Sequence, residues 1–123
     1  MIKRRLGKTD MTVSPVGFGG IPIQGVSFDE ARLILRKAVD EGIDFFDSAR
    51  GYTDSEEKMG RALEDVRSKI RLSTKSLARS ASGLADDIET SLRSFRTDHI
   101  DLYQLHSIGT AADFDKVFAP GGA

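Results

Sequence analysis

Cysteine is absent from the 123 residues, so disulfides, thiolate metal sites and a cysteine nucleophile are excluded from this stretch. Two histidines are too few for a histidine-rich metal centre. No apolar run approaches the roughly 20 residues that a membrane-spanning helix needs, and the opening residues carry no signal-peptide pattern. A charge excess is missing as well: 18 Lys and Arg stand against 19 Asp and Glu, for a net charge of −1. No global field therefore draws nucleic acid or an anionic membrane. The one basic cluster, Lys3, Arg4, Arg5 and Lys8, reads as a solvated hairpin face rather than a phosphate site. The expected setting is the cytoplasm. What is present, 39% hydrophobic and 30% charged residues, is the composition of a soluble globular protein. The length suits one domain or part of a larger one.

Short strands are expected over Ile2 to Leu6 and Met11 to Ser14, joined by Gly7-Lys8-Thr9-Asp10. Gly and Asp in that connection tolerate the positive φ of a tight hairpin turn. Val16 to Gly19 follows as a strand, and Gly19-Gly20 at its end permits close backbone approach, either by a ligand or at a tight barrel corner. Ser27-Phe28-Asp29-Glu30 is a capping box. It opens a helix with Ala31, Ile34, Leu35, Ala38 and Val39 on one face, and Gly42 closes that helix in a left-handed cap. Ile43 to Asp47 reads as a buried strand. A second helix starts at Asp54 or Ser55, with Glu56 and Glu57 in its first turn, where the helix dipole favours acids; Met59, Ala62 and Leu63 share one side. Ile70 to Lys75 is the next strand. A helix over Ser82 to Phe95 should turn Leu84, Ile88, Leu92 and Phe95 inward, and a strand over Ile100 to Leu105 ends at His106. A short helix is expected around Asp113 to Phe118.

The strands begin about 27 to 30 residues apart, each interval holding one helix. That rhythm implies right-handed crossovers and a parallel sheet. Both a doubly wound sheet and a (β/α)8 barrel satisfy it. What separates them is the strand ends: Gly19-Gly20, Asp47, Lys75 and His106 each stand where a strand runs out. In a barrel these ends converge on one face, where the site is built; in an open sheet they would spread along a line.

Singly, each residue has an ordinary reading. Asp47 is a loop anion, Lys75 a strand-end ion-pair partner, His106 a hydrogen-bonded core histidine, Tyr52 a surface ring, and His99 an exposed turn residue. Together they make coherent chemistry. An ammonium beside a tyrosine stabilises its phenolate and so makes the phenol a better proton donor. Asp47 can hold the Lys75 ammonium, Tyr52 can protonate a developing alkoxide, and His106 can orient the carbonyl. The set contains no nucleophile, metal cluster or reductant. Carbonyl protonation therefore calls for an external hydride source, and a nicotinamide cofactor is the chemistry indicated.

The chain resembles the N-terminal portion of the aldo-keto reductase family over nearly all of its length. The resemblance is carried by Arg5-Leu6-Gly7-Lys8-Thr9, Val16-Gly17-Phe18-Gly19-Gly20, Phe46-Asp47-Ser48-Ala49 to Tyr52, Ser55-Glu56, Ser73-Thr74-Lys75 and Asp101-Leu102-Tyr103-Gln104-Leu105-His106. It implies an N-terminal hairpin plus the first four βα units of a (β/α)8 TIM barrel. It also implies a catalytic tetrad of Asp47, Tyr52, Lys75 and His106, with Tyr52 as proton donor. NADPH, or NADH in its place, would lie near Gly19, Gly20, Ile21 and Asp47 and reduce a small aldehyde or ketone; no metal is implied. Thr53 stands where the family often has Gly after its Tyr, and Asp10 where a turn Gly is frequent.

A barrel of this type needs about 250 residues, and this chain reaches only the fourth strand, its following loop and a short helix. The family's adenosine and 2′-phosphate elements have no counterpart in it, and any C-terminal iron–sulfur extension is out of view. The whole of residues 1–123 is thus expected to be one truncated barrel portion with two unpaired sheet edges, which invite self-association. An inactive half-barrel fragment and a cofactor-sensing regulatory member are the alternatives to an active reductase.

Overall fold

Strands and helices alternate along the chain in the computed structural model, which describes all residues from Met1 to Ala123. The hairpin comes first. β1 (Arg4–Arg5) and β2 (Thr12–Val13) pair antiparallel, Arg4 opposite Val13, and Gly7 takes φ +55° in the turn. These strands are shorter than expected, two paired residues each. The hairpin is tied to the body through Asp44, which accepts from the Ser14 amide at 2.6 Å and sits 2.5 Å from the Lys3 ammonium.

Four parallel strands follow: β3 (Phe18–Gly19), β4 (Phe45–Asp47), β5 (Arg71–Ser76) and β6 (Leu102–Leu105), side by side in chain order. Helices α1 (Phe28–Asp40), α2 (Ser55–Leu63), α3 (Ala81–Phe95) and α4 (Ala111–Phe118) come one after each strand. Four βα units behind a hairpin are the architecture the rhythm predicts. No helix is long and apolar enough to cross a membrane.

Helix α1 starts where the capping box places it: Ser27 Oγ accepts from the Glu30 amide, and Glu30 Oε2 accepts from the Ser27 amide at 2.9 Å. Gly42, at φ +88°, turns the chain back, with its amide on the Val39 carbonyl and the Ile43 amide on that of Ala38. The chain can then enter β4 directly. The core lies between sheet and helices, built on Leu35, Phe46, Met59, Leu63, Leu72 and Phe95 among others. Burial of each such side chain contributes roughly 1.5–3 kcal/mol, enough to fix the strand ends against the helix layer.

Some expectations need correction. Ile34 is 42% exposed, so the buried face of α1 is narrower and centred on Ala31, Leu35 and Ala38. On α3 only Ser91 and Phe95 are buried; Leu84, Ile88 and Leu92 are half-buried. Two unanticipated 3-10 turns occupy Pro22–Gly25 and Glu64–Lys69. Helix α4 begins two residues early because the Thr110 hydroxyl caps the Asp113 amide. Where α2 crosses α3, a Cβ on Gly60 would lie 2.3 Å from the Ser94 carbonyl oxygen and 2.7 Å from the Phe95 carbonyl carbon. Only glycine lets the two backbones come that close.

Candidate active site

Strand pairing sets the site. In register, Asp47 lies beside Ser73 and Ser73 beside Leu102, while Lys75 lies beside Gln104. Because side chains alternate along a strand, Asp47, Ser73, Lys75 and Gln104 share the face away from the helices. Phe46, Leu72 and Thr74 point into the helix layer and are buried. His106 follows β6, its amide donating to the Ser76 carbonyl at 2.7 Å. Tyr52 sits in the loop between β4 and α2.

The structure brings all four sequence-derived candidates together. The Lys75 ammonium donates to Asp47 Oδ2 at 2.6 Å and to the Ser48 carbonyl at 2.7 Å. It also lies 5.0 Å from the centroid of the Tyr52 ring, over its face, an attractive arrangement for a cation. The Tyr52 ring meets His106 edge-on, with centroids 5.8 Å apart and planes at 85°. Lys75 thus approaches Tyr52 through the ring and not through the hydroxyl. His106 Nδ1 is buried and has no hydrogen-bond partner. His99 is exposed and apart from the site, beside Asp98.

Two residues that sequence reasoning passed over complete the set. The Ser73 hydroxyl donates to Asp47 Oδ1 at 2.8 Å, and Gln104 Nε2 donates to Ser73 Oγ at 2.8 Å and to Asp47 Oδ1 at 3.3 Å. Asp47 therefore has one oxygen on the ammonium and the other on neutral donors, which fixes its carboxylate plane. The signal was the period of two: Ser73 is two before Lys75, and Gln104 two before His106. Arg79 is a third omission, donating to the carbonyls of His106 at 2.7 Å and Ser107 at 3.0 Å.

The Tyr52 loop is pinned along its length. The Tyr52 amide donates to Ala49, the Ser55 amide to Tyr52, and the Arg50 amide to the Lys75 carbonyl, all within 2.8–3.0 Å. Ser48 Oγ donates to Ser55 Oγ at 2.9 Å, and Ser55 Oγ to the Gly20 carbonyl at 3.0 Å. Thr53 adopts φ +39°, an uncomfortable region for a β-branched residue. A Gly at that position would be free of the strain.

Of the two readings left open for Gly19-Gly20, Gly20 takes the corner. A Cβ there would lie 2.4 Å from Ser55 Oγ and 2.9 Å from Met59 Cε, and the Gly20 amide and carbonyl are both already bonded. Gly19 is different: its Cβ would meet nothing within 4 Å.

Residues 15–119 match the Aldo/keto reductase family. The chain belongs to that family. It is 35% identical over 127 residues to an uncharacterised oxidoreductase, YqkF, of Bacillus subtilis, covering 92% of this chain and 41% of that protein. It superposes on the holo form of aldo-keto reductase AKR11C1 from Bacillus halodurans with a TM-score of 0.79 and 33% identity, covering 95% of this chain and 44% of the other. Against an aldo-keto reductase from Klebsiella pneumoniae in complex with NADPH, the TM-score is 0.78 at 27% identity, with 98% and 47% covered. The chain thus spans less than half the length of these relatives. Its fold is the N-terminal hairpin and first four βα units of a (β/α)8 barrel.

Proposed function

We propose that these residues supply the acid–base half of an NADPH-dependent reduction of a small aldehyde or ketone to its alcohol. NADH is the other nicotinamide the chemistry admits. The observation that carries the reading is the contiguous series Asp47–Lys75–Tyr52–His106, with the Lys75 ammonium 2.6 Å from Asp47 and 5.0 Å from the Tyr52 ring centre. A phenol and an imidazole stand edge to face, with an ammonium over the phenol ring.

The chain fits the reacting end of the cofactor. The open face of Gly19 adjoins Asp47, and Ile21, two residues on, has a 56%-exposed side chain; Gly19, Ile21 and Asp47 would hold a nicotinamide there. Gly20 keeps that corner tight. When bound, NADPH supplies the hydride. His106 Nε2 orients the carbonyl oxygen, and the Tyr52 hydroxyl gives its proton to the same oxygen as negative charge develops there. Lys75, held by Asp47, places positive charge next to the phenol from which that proton departs.

The test is the 340 nm absorbance of NADPH with a small aldehyde, for the wild-type chain and Tyr52→Phe. Aldehyde-dependent NADPH oxidation that falls at least about 100-fold in the variant supports the reading. Equal rates in the two proteins would refute Tyr52 as donor. A folded wild-type chain with no turnover favours a second reading, an inactive half-barrel. That reading draws on β3 and β6, each paired on one side only, and it predicts self-association in sedimentation.

A further inference from the structure

We propose that Glu56, acting through Arg50, is a positioning residue for Tyr52, an ion pair behind the sheet that sets where the phenol stands over Lys75. The inference rests on reading Tyr52 as proton donor and adds two residues that reading does not use.

Glu56, in the first turn of α2, is only 2% exposed. A carboxylate so buried is strongly unfavourable unless its lone pairs are answered, and here each oxygen is. Oε1 accepts from Thr74 Oγ1 at 2.7 Å and Ser91 Oγ at 2.9 Å, while Oε2 meets the Arg50 guanidinium. Thr74 is the neighbour of Lys75 on β5 and faces the opposite side of the sheet; Ser91 belongs to α3. Glu56 is therefore held by a strand and a helix, and it holds a loop.

Arg50 is that loop's handle. Its amide donates to the Lys75 carbonyl at 3.0 Å, and its guanidinium reaches Glu56 and comes within 3.8 Å of Asp87. Asp87 in turn accepts from Ser76 Oγ, and the Ser76 carbonyl receives the His106 amide. Tyr52 lies between Arg50 and Glu56, so both sides of its loop are referred to β5, the strand that carries Lys75. Breaking the Arg50–Glu56 pair removes the side-chain anchor on both sides of Tyr52 while leaving Asp47–Lys75 untouched.

The sequence holds two tyrosines and two histidines, so their ring signals in proton NMR are few enough to assign. A cross-peak between the Tyr52 and His106 rings, whose centroids are 5.8 Å apart, reports the position of Tyr52 without any turnover. Glu56→Gln and Arg50→Met should each lose most of that cross-peak. Where the chain turns over, each should lower kcat about 100-fold with KM for NADPH unchanged. Arg50→Lys, which restores the charge, should recover much of both. Thr74→Val removes one Glu56 partner but leaves the ion pair, so it should lower the melting temperature with the cross-peak and kcat intact. Should Glu56→Gln fail to fold, Arg50→Met at the quarter-exposed partner carries the test. Folded Glu56→Gln or Arg50→Met with a wild-type cross-peak and kcat overturns the proposal. So does a Thr74→Val chain that loses the cross-peak as fully, since packing alone would then explain it. A chain that never oxidises NADPH yet shows this dependence loses the reductase reading and keeps the positioning one.

Discussion

Gly60→Ala sets two effects of opposite sign against each other. Alanine is favoured over glycine inside a helix by about 1 kcal/mol, so propensity alone predicts a more stable protein. Contact predicts the reverse. The new methyl would sit 2.3 Å from the Ser94 carbonyl oxygen and 2.8 Å from Phe95 Cα. These are backbone atoms of α3, not flexible side-chain ends that could swing away. Restoring ordinary contact requires α2 and α3 to part by about 1 Å, loosening Met59, Leu63 and Phe95, which are buried at that junction. Overpacking of this kind costs about 1–3 kcal/mol and sometimes more. With the propensity gain set against the upper part of that range, a net loss of about 2 kcal/mol follows. In a chain of this size it should lower the melting temperature by about 8 °C, read by circular dichroism. Gly25→Ala, where a Cβ meets nothing within 4 Å, is the control and should stay within about 0.5 kcal/mol of wild type. A Gly60→Ala chain that melts at or above the wild-type temperature would refute the contact argument.

Thr53→Gly relieves a β-branched residue at φ +39° and should raise stability by about 1 kcal/mol, measured by urea unfolding; a lower midpoint contradicts the strain. Asp44 contributes to the acid limb. Burial pushes its carboxyl up, but hydrogen bonds from Lys3 and Ser14 outweigh burial and leave it below its ordinary value. A depressed folded-state value means its contribution is present above the ordinary carboxylate range and is lost as pH falls through the lowered one. Asp44→Asn should therefore cost about 1 kcal/mol near pH 7 and almost nothing in strong acid; an equal loss at both pH values would disprove the linkage.

Residues that act locally were the easiest to read. Ser27 and Glu30 are three apart and cap one turn, and Gly42 needs only its own φ, so α1 was bounded correctly from local sequence alone. The strand rhythm and the chemistry at strand ends brought Asp47, Lys75, Tyr52 and His106 to one face, because a parallel sheet leaves few other places for them. Glu56 was different. In sequence it is a first-turn acid suited to a helix dipole; in the fold it is buried on Thr74 and Ser91, 18 and 35 residues away. Lys58 is similar, 2% exposed and donating to the Ile23 carbonyl at 2.8 Å. Burial of a charge depends on distant partners, which no local pattern encodes. Ser73 and Gln104 went unread for another reason: neutral polar residues on a strand look alike until register decides which carboxylate they meet. The exposure of Ile34 and the half-burial of Leu84, Ile88 and Leu92 show that helical period marks a face but not how much of it is covered.

The register of β4 against β5 has a consequence for how errors in assembly would show themselves. Since side chains alternate, a slip of one residue would send Lys75 into the apolar layer and Thr74 out of it. A single slip would thus strand an ammonium against Phe46 while turning Leu72 out of the core, deprive Asp47 of its counter-ion and take a hydroxyl from Glu56, several penalties at once. The paired charges at the strand ends also act as a proofreading device on strand alignment. A sheet assembled out of step would lose the site and its stability for the same reason.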